Sequence, residues 1–433
     1  MKKAFEEIIG YDSVKEELKR FCDVLENSKR YEELGVTLPS GILFSGEPGI
    51  GKSMMAKAFI EASGLKSFTI RKDRSDGDFT DKIRKTFEQA REEEKSIVLL
   101  DDMDKYANED DKHKDAEEYI TVQACIDDSV GSGVFVIATI NDRDCLPKSL
   151  LRTGRFDKII EMKAPEYEDT LKLTKHFLKN RRHEEDIDEE EIARIMTGRA
   201  VSDLKTIIND AGISAGYEGR AAISQKDILG SIVRLVFESP ECEAKDDGEF
   251  DRVLVHELGH VITAEMLEPG SVALVSVESH NGDIGGVTMI KPLKQNKLTP
   301  ETLEKQATWA LGGRAATEIV FGEPDVGSES DLQSAARKIE KLIEDEAQHG
   351  FEAFNRLYAF SGRMADKKAL VVAHEMENCY RKAKKIIAEN RNLLSVLADI
   401  LEKEKTLTSR AIREIIESLI VLPEEGKIAD VLA

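Results

Sequence analysis

The sequence lacks an excess of basic charge and lacks closely spaced cysteines. Its 62 lysines and arginines stand against 84 aspartates and glutamates, which gives a formal charge of −22. An acidic surface repels nucleic-acid phosphates and anionic lipid headgroups, so we expect no nucleic-acid partner. The five cysteines are scattered and contain no C-x-x-C pair, a usage typical of a reducing compartment rather than of a disulfide framework or a thiolate metal site.

Long apolar runs are also missing. No stretch approaches the roughly 18–20 apolar residues that a membrane-spanning helix needs, and the opening residues, MKKAFEEIIGYD, lack the apolar segment of a signal peptide. We therefore expect a cytoplasmic protein with no direct membrane insertion. Hydrophobic residues still make up 41% of the chain, enough to build cores, and at about 100–200 residues per domain its 433 residues predict two or three domains.

Residues 1–162 alternate short apolar runs with charged amphipathic stretches, which is the rhythm of a parallel sheet with helices on both faces. The runs that predict buried strands are 41–44, 67–70, 96–100, 134–140 and 158–162. We therefore predict an α/β core.

The composition changes after this core. Residues 163–238 continue with helical patterns alone, which predicts a small helical lid subdomain. Residues 239–251 contain a proline, a glycine and six acidic residues, which is typical of a linker. Residues 252–433 predict a separate, mainly α-helical domain with one β-like interruption at 272–289.

The segment GEPGIGKS, residues 46–53, matches G-x-x-x-x-G-K-[ST] at every fixed position. Glycines such as Gly46, Gly49 and Gly51 let successive backbone N–H groups turn inward around phosphate oxygens. Lys52 can reach the β- and γ-phosphates, and the Ser53 hydroxyl can hold Mg²⁺. A glycine-rich turn without nucleotide is the alternative, and the position between a predicted strand and a predicted helix argues against it.

A second acidic element supports the nucleotide interpretation. The apolar run IVLL ends in Asp101 and Asp102. Asp101 would hold Mg²⁺ through water, and Asp102 would polarise the attacking water. A helix-capping role is the alternative for either acid alone. The pairing with the phosphate loop therefore predicts ATP as the nucleotide, with Mg²⁺.

After the linker, the sequence contains H-E-x-x-H at residues 256–260, within a helical pattern. His256 and His260 are four residues apart and share a helix face, so both imidazoles can bind one Zn²⁺ while Glu257 acts as the base. Two histidines satisfied in a core helix are the alternative. Catalytic zinc needs a third protein ligand, and spacing alone leaves these candidates open: Glu318, Asp325, Glu329, Asp331 and His374.

The first half resembles AAA+ ATPases. The motifs that carry the resemblance are IGY at 9–11, GEPGIGKS, IVLLDDMD, VIATIND and LLRTGRFD. It implies that Ile9, Gly10 and Ile50 help to bind ATP, that Asn141 senses the γ-phosphate, and that Arg152 and Arg155 reach the nucleotide of a neighbouring subunit. It also implies a homo-oligomeric ring, a hexamer. A basic turn paired with surface acids is the alternative for the two arginines.

The motifs of the second half resemble those of a more specific family. HELGH, GGVTMIKP at 285–292, ALGGRAATEIVFGE at 310–323 and VGSESDL at 326–332 are similar to FtsH-type ATP-dependent zinc proteases. That resemblance implies that Asp331 is the third zinc ligand. It also implies that ATP hydrolysis drives polypeptide substrates through a ring to the zinc site.

The chain departs from that family pattern in three places. The family's amino-terminal transmembrane segments have no match. Asp102 replaces the usual glutamate, which withdraws the water-polarising carboxylate by one methylene. The substrate-gripping loop falls at residues 75–79, where Phe79 is the only large apolar residue, so either Phe79 grips from a shifted register or threading is weak.

Two other functions stay open on the sequence alone. One is a remodelling ATPase without proteolysis, which the intact HELGH opposes. The other is an ATP-independent peptidase with a structural ATPase domain, which the altered loop and Asp102 favour.

Overall fold

The computed structural model describes residues 2–72, 79–107, 116–143, 146, 149–150, 154–237, 250–278, 285–291, 299–324, 329–344 and 362–421. The chain divides into two compact units. The first comprises Met1–Glu189 and Met196–Ser224, and the second comprises Glu190–Ile195 and Gln225–Ala433. None of the described helices is both long and apolar enough to cross a lipid bilayer.

The first unit is built on a parallel sheet whose described strands lie in the order β2-β3-β4-β1-β5. These strands are β1 (Gly41–Ser45), β2 (Lys66–Ile70), β3 (Ser96–Leu100), β4 (Val134–Ile140) and β5 (Lys158–Glu161). Strands β1, β3 and β4 are buried along their whole length. A central parallel strand is covered on both faces, which is why these strands read as continuous apolar runs.

Helices connect and cover the sheet. They are α1 (Lys2–Glu6), α2 (Asp12–Glu26), α3 (Ser28–Glu33), α4 (Lys52–Ser63), α5 (Phe79–Arg91) and α6 (Ala116–Asp127), with a 3₁₀ turn at Met103–Lys105. Helix α4 starts after Gly51 at φ 102° and stops at Gly64 at φ 64°, two positions where glycine adopts the left-handed backbone without strain. Two apolar clusters, one on each face of the sheet, complete the core.

The possibility that Phe79 grips substrate is wrong. Its side chain is 3% exposed and packs edge-on against Tyr106, with ring centroids 5.1 Å apart. Phe79 is the first residue of α5, and a helix of this amphipathic kind turns its apolar side chains toward the sheet. Phe79 therefore supports the core, while residues 75–78 of the same segment lie outside the described residues.

The helices that follow the sheet were predicted to form a lid at 163–238. They are α7 (Tyr167–Leu178), α8 (Glu189–Met196), α9 (Val201–Tyr217) and α10 (Gln225–Phe237). The division into units places the middle of α8 and all of α10 in the second unit. The predicted domain bounds stay a prediction, and residues 239–249 of the predicted linker lie outside the described residues.

Arg194 explains why the middle of α8 is counted with the second unit. Its guanidinium donates hydrogen bonds to the backbone carbonyls of Gly270, Val272 and Lys291 and to the hydroxyl of Ser409. Arginine suits this role because its planar group presents five donors in a fixed geometry. One side chain thus ties the middle of α8 to three separate segments of the second unit, through backbone carbonyls on two of them and a hydroxyl on the third.

The second unit is mainly helical around one apolar core. Its remaining helices are α11 (Phe250–Leu267), α12 (Pro300–Ala310), α13 (Gly312–Phe321), α14 (Glu329–Glu344), α15 (Gly362–Glu389), α16 (Arg391–Glu404) and α17 (Ser409–Val421). Its strands are β6 (Val272–Ser276), β7 (Val287–Ile290) and β8 (Thr406–Thr408), which form an antiparallel sheet in the order β7-β6-β8. The sequence did not predict β8, because three residues between two helical patterns carry too little periodicity.

Candidate nucleotide and metal sites

The phosphate loop connects β1 to α4 and has the backbone that its glycines predict. Gly46, Gly49 and Gly51 have φ angles of 144°, 79° and 102°, which residues with a Cβ rarely adopt. Lys52 is buried, and its ammonium donates to the carbonyls of Gly46 and Glu47 at 2.6 and 2.7 Å. Burial lowers the pKa of Lys52. Ile50 is 1% exposed and packs into the core beneath the loop.

The acidic end of β3 lies beside this loop because β3 and β1 flank β4 in the sheet. Asp101 accepts hydrogen bonds from Ser53 Oγ at 2.8 Å and from Thr139 Oγ1 at 2.9 Å. The hydroxyl of Thr139 also accepts from the Asp102 backbone N–H at 2.9 Å. A serine hydroxyl and a carboxylate in contact are the pair that holds Mg²⁺ in phosphate-loop ATPases.

Asp102, the next residue, lies beside two cationic side chains. Its φ of 52° is left-handed, and its carboxylate pairs with Lys105 at 2.7 Å. A guanidinium nitrogen of Arg71 lies 3.9 Å from it. The carboxylate predicted to polarise water is therefore accompanied by two exposed cations.

Asn141 follows the carboxyl end of β4 and faces the phosphate loop. Its Oδ1 accepts from Lys52 Nζ at 3.0 Å. Asp104 holds the other side of this residue, since its Oδ2 accepts from both the backbone N and Nδ2 of Asn141, at 3.1 and 3.0 Å. Asp104 thereby fixes which end of the amide faces Lys52.

Residues 9–11 also contact the phosphate loop. The Tyr11 hydroxyl lies within hydrogen-bonding distance of the carbonyl oxygens of Ile50 and Lys163, at 3.0 and 2.9 Å, and burial, with help from Asp169, raises the pKa of Tyr11 to about 12. Gly10 has a φ of 74°, and a Cβ there would lie 2.6 Å from the Asp169 carboxyl group. Ile9 is half-buried beside it.

Arg155 is engaged within its own chain. Its Nε and Nη2 donate to the two carboxylate oxygens of Asp127 at 2.7 and 2.8 Å, and its Nη1 donates to the Ser149 carbonyl. The other predicted finger, Arg152, lies outside the described residues. A role of Arg155 at a neighbour's nucleotide requires that this bidentate pair opens or moves as a unit.

The metal candidates converge on α11. His256 Nε2 and His260 Nε2 are 3.1 Å apart, and Asp331 Oδ2 lies 3.0 Å from the first and 3.3 Å from the second. Four ligands at the usual Zn–N and Zn–O distances are roughly 3.3–3.5 Å from one another, so the three atoms have the spacing of one zinc shell. Asp331 comes from the first turn of α14.

The surrounding contacts orient these ligands. His260 Nδ1 donates to the Trp309 carbonyl at 2.8 Å, which turns its Nε2 toward Asp331. Burial disfavours the charged imidazole, but Asp331 and Glu257 outweigh it and raise the pKa of His260 to about 9. Burial also opposes ionisation of Asp331, yet hydrogen bonds from both histidines hold its pKa well below the usual range.

The other described candidates for the third ligand are elsewhere. Glu318 accepts from the Tyr380 hydroxyl and pairs with Lys384 at 3.3 Å. Glu329 is exposed and accepts from Gln333, and His374 is exposed on α15. Asp325 lies outside the described residues. Among the described candidates, only Asp331 joins the two histidines.

Glycines leave the room that this cluster needs. A Cβ at Gly313 would lie 2.6 Å from His256 Nε2. A Cβ at Gly259 would lie 2.3 Å from the Gly312 carbonyl oxygen, so α11 and α13 cross with their backbones in close approach. The motif at residues 310–323 therefore serves the histidine helix by packing against it.

Glu257 lies beside the cluster in a cleft of about 570 Å³ lined by β7, α11 and the first turn of α14. Its side chain is 7% exposed, and Thr288 Oγ1 donates to its Oε2 at 2.6 Å. The cleft thus contains a carboxylate, two imidazoles and a second carboxylate.

Sequence reasoning missed several residues that contact these sites. Thr139, Asp104, Ser202 and Thr288 each touch a predicted site residue that is more than 30 positions away or on another element. Ser202, for example, donates its backbone N–H to the Gly49 carbonyl at 3.1 Å. Asp104 and Thr139 stand inside the quoted motifs IVLLDDMD and VIATIND, which was the available signal.

Both candidate sites lie in segments that match known protein families. Residues 42–164 match the model of the ATPase family associated with various cellular activities (AAA), and residues 245–415 match peptidase family M41. The first match covers the phosphate loop, the acidic strand and Asn141, and the second covers the histidine helix and Asp331. The chain therefore joins an AAA ATPase to a metallopeptidase.

Relatives with this combination match along most of the chain. ATP-dependent zinc metalloprotease FtsH 3 of Symbiobacterium thermophilum is 28% identical over 450 residues, covering 96% of this chain and 71% of the relative. The chloroplastic FTSH 2 of Oryza sativa is 28% identical over 98% of this chain and 67% of the relative. FtsH of Methylococcus capsulatus is 31% identical over 79% and 56% respectively.

This chain belongs to the FtsH-type ATP-dependent zinc metalloproteases. It hydrolyses polypeptides, and its cofactors are ATP with Mg²⁺ and Zn²⁺. The expectations for the fold class, the activity and the cofactors are confirmed.

Proposed function

We propose that His256, His260 and Asp331 bind the zinc ion and that Glu257 is the base of the peptidase. The observation that carries this assignment is the convergence of three ligand atoms within 3.0–3.3 Å of one another. A divalent cation explains why two imidazole nitrogens face each other across so short a gap. When bound, zinc supplies a polarised water and a positive charge beside the peptide carbonyl.

Glu257 takes the proton from the attacking water and returns it to the leaving amine. Its position one residue after His256 places its carboxylate next to the metal ligands. The neighbouring strand β7 pairs with β6 on one side, and in the described part of the chain nothing pairs with its other edge. A substrate peptide in extended form fits this edge by strand addition.

Replacing Asp331 with alanine is expected to empty the zinc site. Loss of a direct ligand lowers zinc affinity by more than the about 10–100-fold that follows a change in an outer-shell partner. Metal analysis of purified protein after dialysis measures this. Glu329→Ala is the matched control, since it removes an exposed acid two residues earlier on the same helix. Full zinc occupancy in Asp331→Ala would move the third ligand to another residue.

In the ATPase, we propose that Gly46, Gly49, Gly51 and Lys52 hold the phosphates. Ile9, Gly10 and Ile50 complete the nucleotide pocket, Ser53 and Asp101 hold Mg²⁺, Asp102 polarises the attacking water, and Asn141 senses the γ-phosphate. The contacts of Lys52 with Asn141 and of Ser53 with Asp101 support this set. Asp102 must leave Lys105 to serve, which favours slow basal hydrolysis.

We further propose a cytoplasmic ring of identical subunits, a hexamer, that draws polypeptides to the zinc sites. Arg152 and Arg155 then serve the nucleotide of the next subunit. The cysteines at 22, 125 and 379 are buried free thiols, which supports a reducing compartment.

Mixing Arg155→Ala subunits with wild type tests the ring. Because each arginine serves its neighbour, and a ring whose sites act in turn stalls when one site fails, ATPase activity is expected to fall more steeply than the mutant fraction. Steady-state phosphate release across a series of mixing ratios measures this. Arg84→Ala, which changes an exposed arginine on α5, should leave the mixture at wild-type activity. A strictly linear decline for Arg155→Ala would contradict a coupled ring and indicate sites that act independently.

A further inference from the structure

The carboxylate of Glu257 is held by strand β7. Thr288 Oγ1 lies 2.6 Å from Glu257 Oε2 and 3.2 Å from the Glu257 backbone carbonyl oxygen. A hydroxyl carries one proton, and the shorter distance to the charged acceptor identifies the carboxylate as the main partner. The remaining oxygen, Oε1, is left for the cleft.

We infer that Thr288 is a positioning residue for the general base. Glutamate has three rotatable side-chain bonds, so a carboxylate without a fixed partner samples several orientations. A base must lie within hydrogen-bond reach of the proton that it abstracts. By fixing Oε2, Thr288 selects the orientation in which Oε1 faces the water. This inference rests on the proposed role of Glu257.

The residue just before β7 leaves room for this contact. It is Gly286, where a Cβ would lie 2.4 Å from Glu257 Cγ and 2.7 Å from Oε1. Any other residue at 286 would push the glutamate side chain out of place. Gly286 and Thr288 are two residues apart in extended chain, so both face the same side of it. Together they form a cradle in which one residue gives room and the other gives a hydrogen bond.

The cradle also links the base to the substrate. Strand β7 is the edge to which an extended peptide would add, so the backbone that aligns the peptide also carries the hydroxyl that aligns the base. A shift of β7 along its own axis would move both together. The position of the scissile bond and the position of Oε1 are therefore set by one element.

Thr288→Val tests the inference, because valine keeps the shape and removes the donor. In the full-length, zinc-loaded protein we expect kcat for a short fluorogenic peptide to fall about 10- to 100-fold, as for a misplaced catalytic group. KM should stay within about twofold, since the strand edge is unchanged. Thr288→Ser restores the hydroxyl and should recover most of kcat. Thr317→Val is the matched control, because its hydroxyl lies 3.3 and 3.1 Å from the Gly313 and Arg314 carbonyl oxygens of α13.

A second measurement does not depend on activity. In metal-free protein, the thermal unfolding shifts of Thr288→Val and Glu257→Met should be non-additive in the double variant, since either change alone removes the same hydrogen bond. Additive shifts would overturn the contact. Zinc content should match wild type in Thr288→Val.

The outcomes separate this inference from the function on which it rests. If Glu257→Gln is inactive and Thr288→Val matches wild type in kcat, the positioning role is wrong and the base assignment stands. If Glu257→Gln keeps full activity, the base assignment itself fails. A Thr288→Val defect that appears in KM alone, or that serine does not rescue, would make Thr288 a residue of the fold or of substrate binding.

Discussion

Glu257→Gln is expected to abolish proteolysis while zinc stays bound. Glutamine keeps the size of the side chain and still accepts a hydrogen bond from Thr288, but it cannot take a proton from water. General acid–base catalysis contributes on the order of 10²–10⁴-fold, so peptide cleavage should fall by at least that factor. The measurement pairs initial rates on a short peptide with metal analysis of the same sample.

The control for this variant is Glu268→Gln, one residue beyond the end of α11. It makes the same chemical change outside the cleft and should keep both zinc and activity. A stoichiometric loss of zinc in Glu257→Gln would contradict the base role, because it would make Glu257 a ligand. The contrast with Asp331→Ala, which should lose the metal, separates the two kinds of carboxylate in the cleft.

Lys52→Ala is expected to stop ATP hydrolysis and leave the fold intact. The ammonium reaches the phosphate loop carbonyls and Asn141, so it stands where the proposed site would hold the β- and γ-phosphates. Removing one such charge from a phosphoryl-transfer site lowers turnover on the order of 100-fold or more. Phosphate release under saturating ATP measures this.

Lys57→Ala is the matched control, since Lys57 is an exposed lysine on the same helix. Its turnover should equal that of wild type. Unchanged ATPase turnover in Lys52→Ala would contradict the nucleotide site. Circular dichroism of both variants shows whether a loss reflects the site or the fold.

Local motifs are enough to predict both candidate sites. The phosphate loop needs its glycines, lysine and serine in eight consecutive residues, and the metal helix needs two histidines one turn apart. In each case all the residues of the motif lie within one turn or loop, so their types and spacing can be recognised in the sequence. Strands β1, β3 and β4 were predictable for a related reason, since a parallel strand buried on both faces is a short continuous apolar run.

Pairings between distant residues were not predictable in this way. Spacing left five candidates for the third zinc ligand, and only the resemblance to a family favoured Asp331, which lies 75 positions from His256. Thr288 is 31 positions from Glu257 and arrives there through the β6-β7 pairing. Nothing in the local pattern of either segment specifies which elements pack together.

Phe79 shows the opposite error. Counting residues along the family pattern placed Phe79 in the substrate-gripping loop. As the only large apolar residue of that acidic stretch, it had the chemistry expected of a gripping residue. The apolar spacing of Phe79, Ile83 and Phe87 was the better signal, since residues three or four apart share a helix face, and all three are buried.

We propose that ATP turnover at Lys52 delivers polypeptides to the zinc site of the same protein. The most direct test compares cleavage of a folded protein and of a short peptide by wild type and Lys52→Ala, each zinc-loaded and supplied with ATP. We predict that Lys52→Ala loses degradation of the folded protein and keeps cleavage of the short peptide, which reaches the zinc by diffusion. Undiminished degradation of the folded protein by Lys52→Ala would contradict the claim and leave an ATP-independent peptidase.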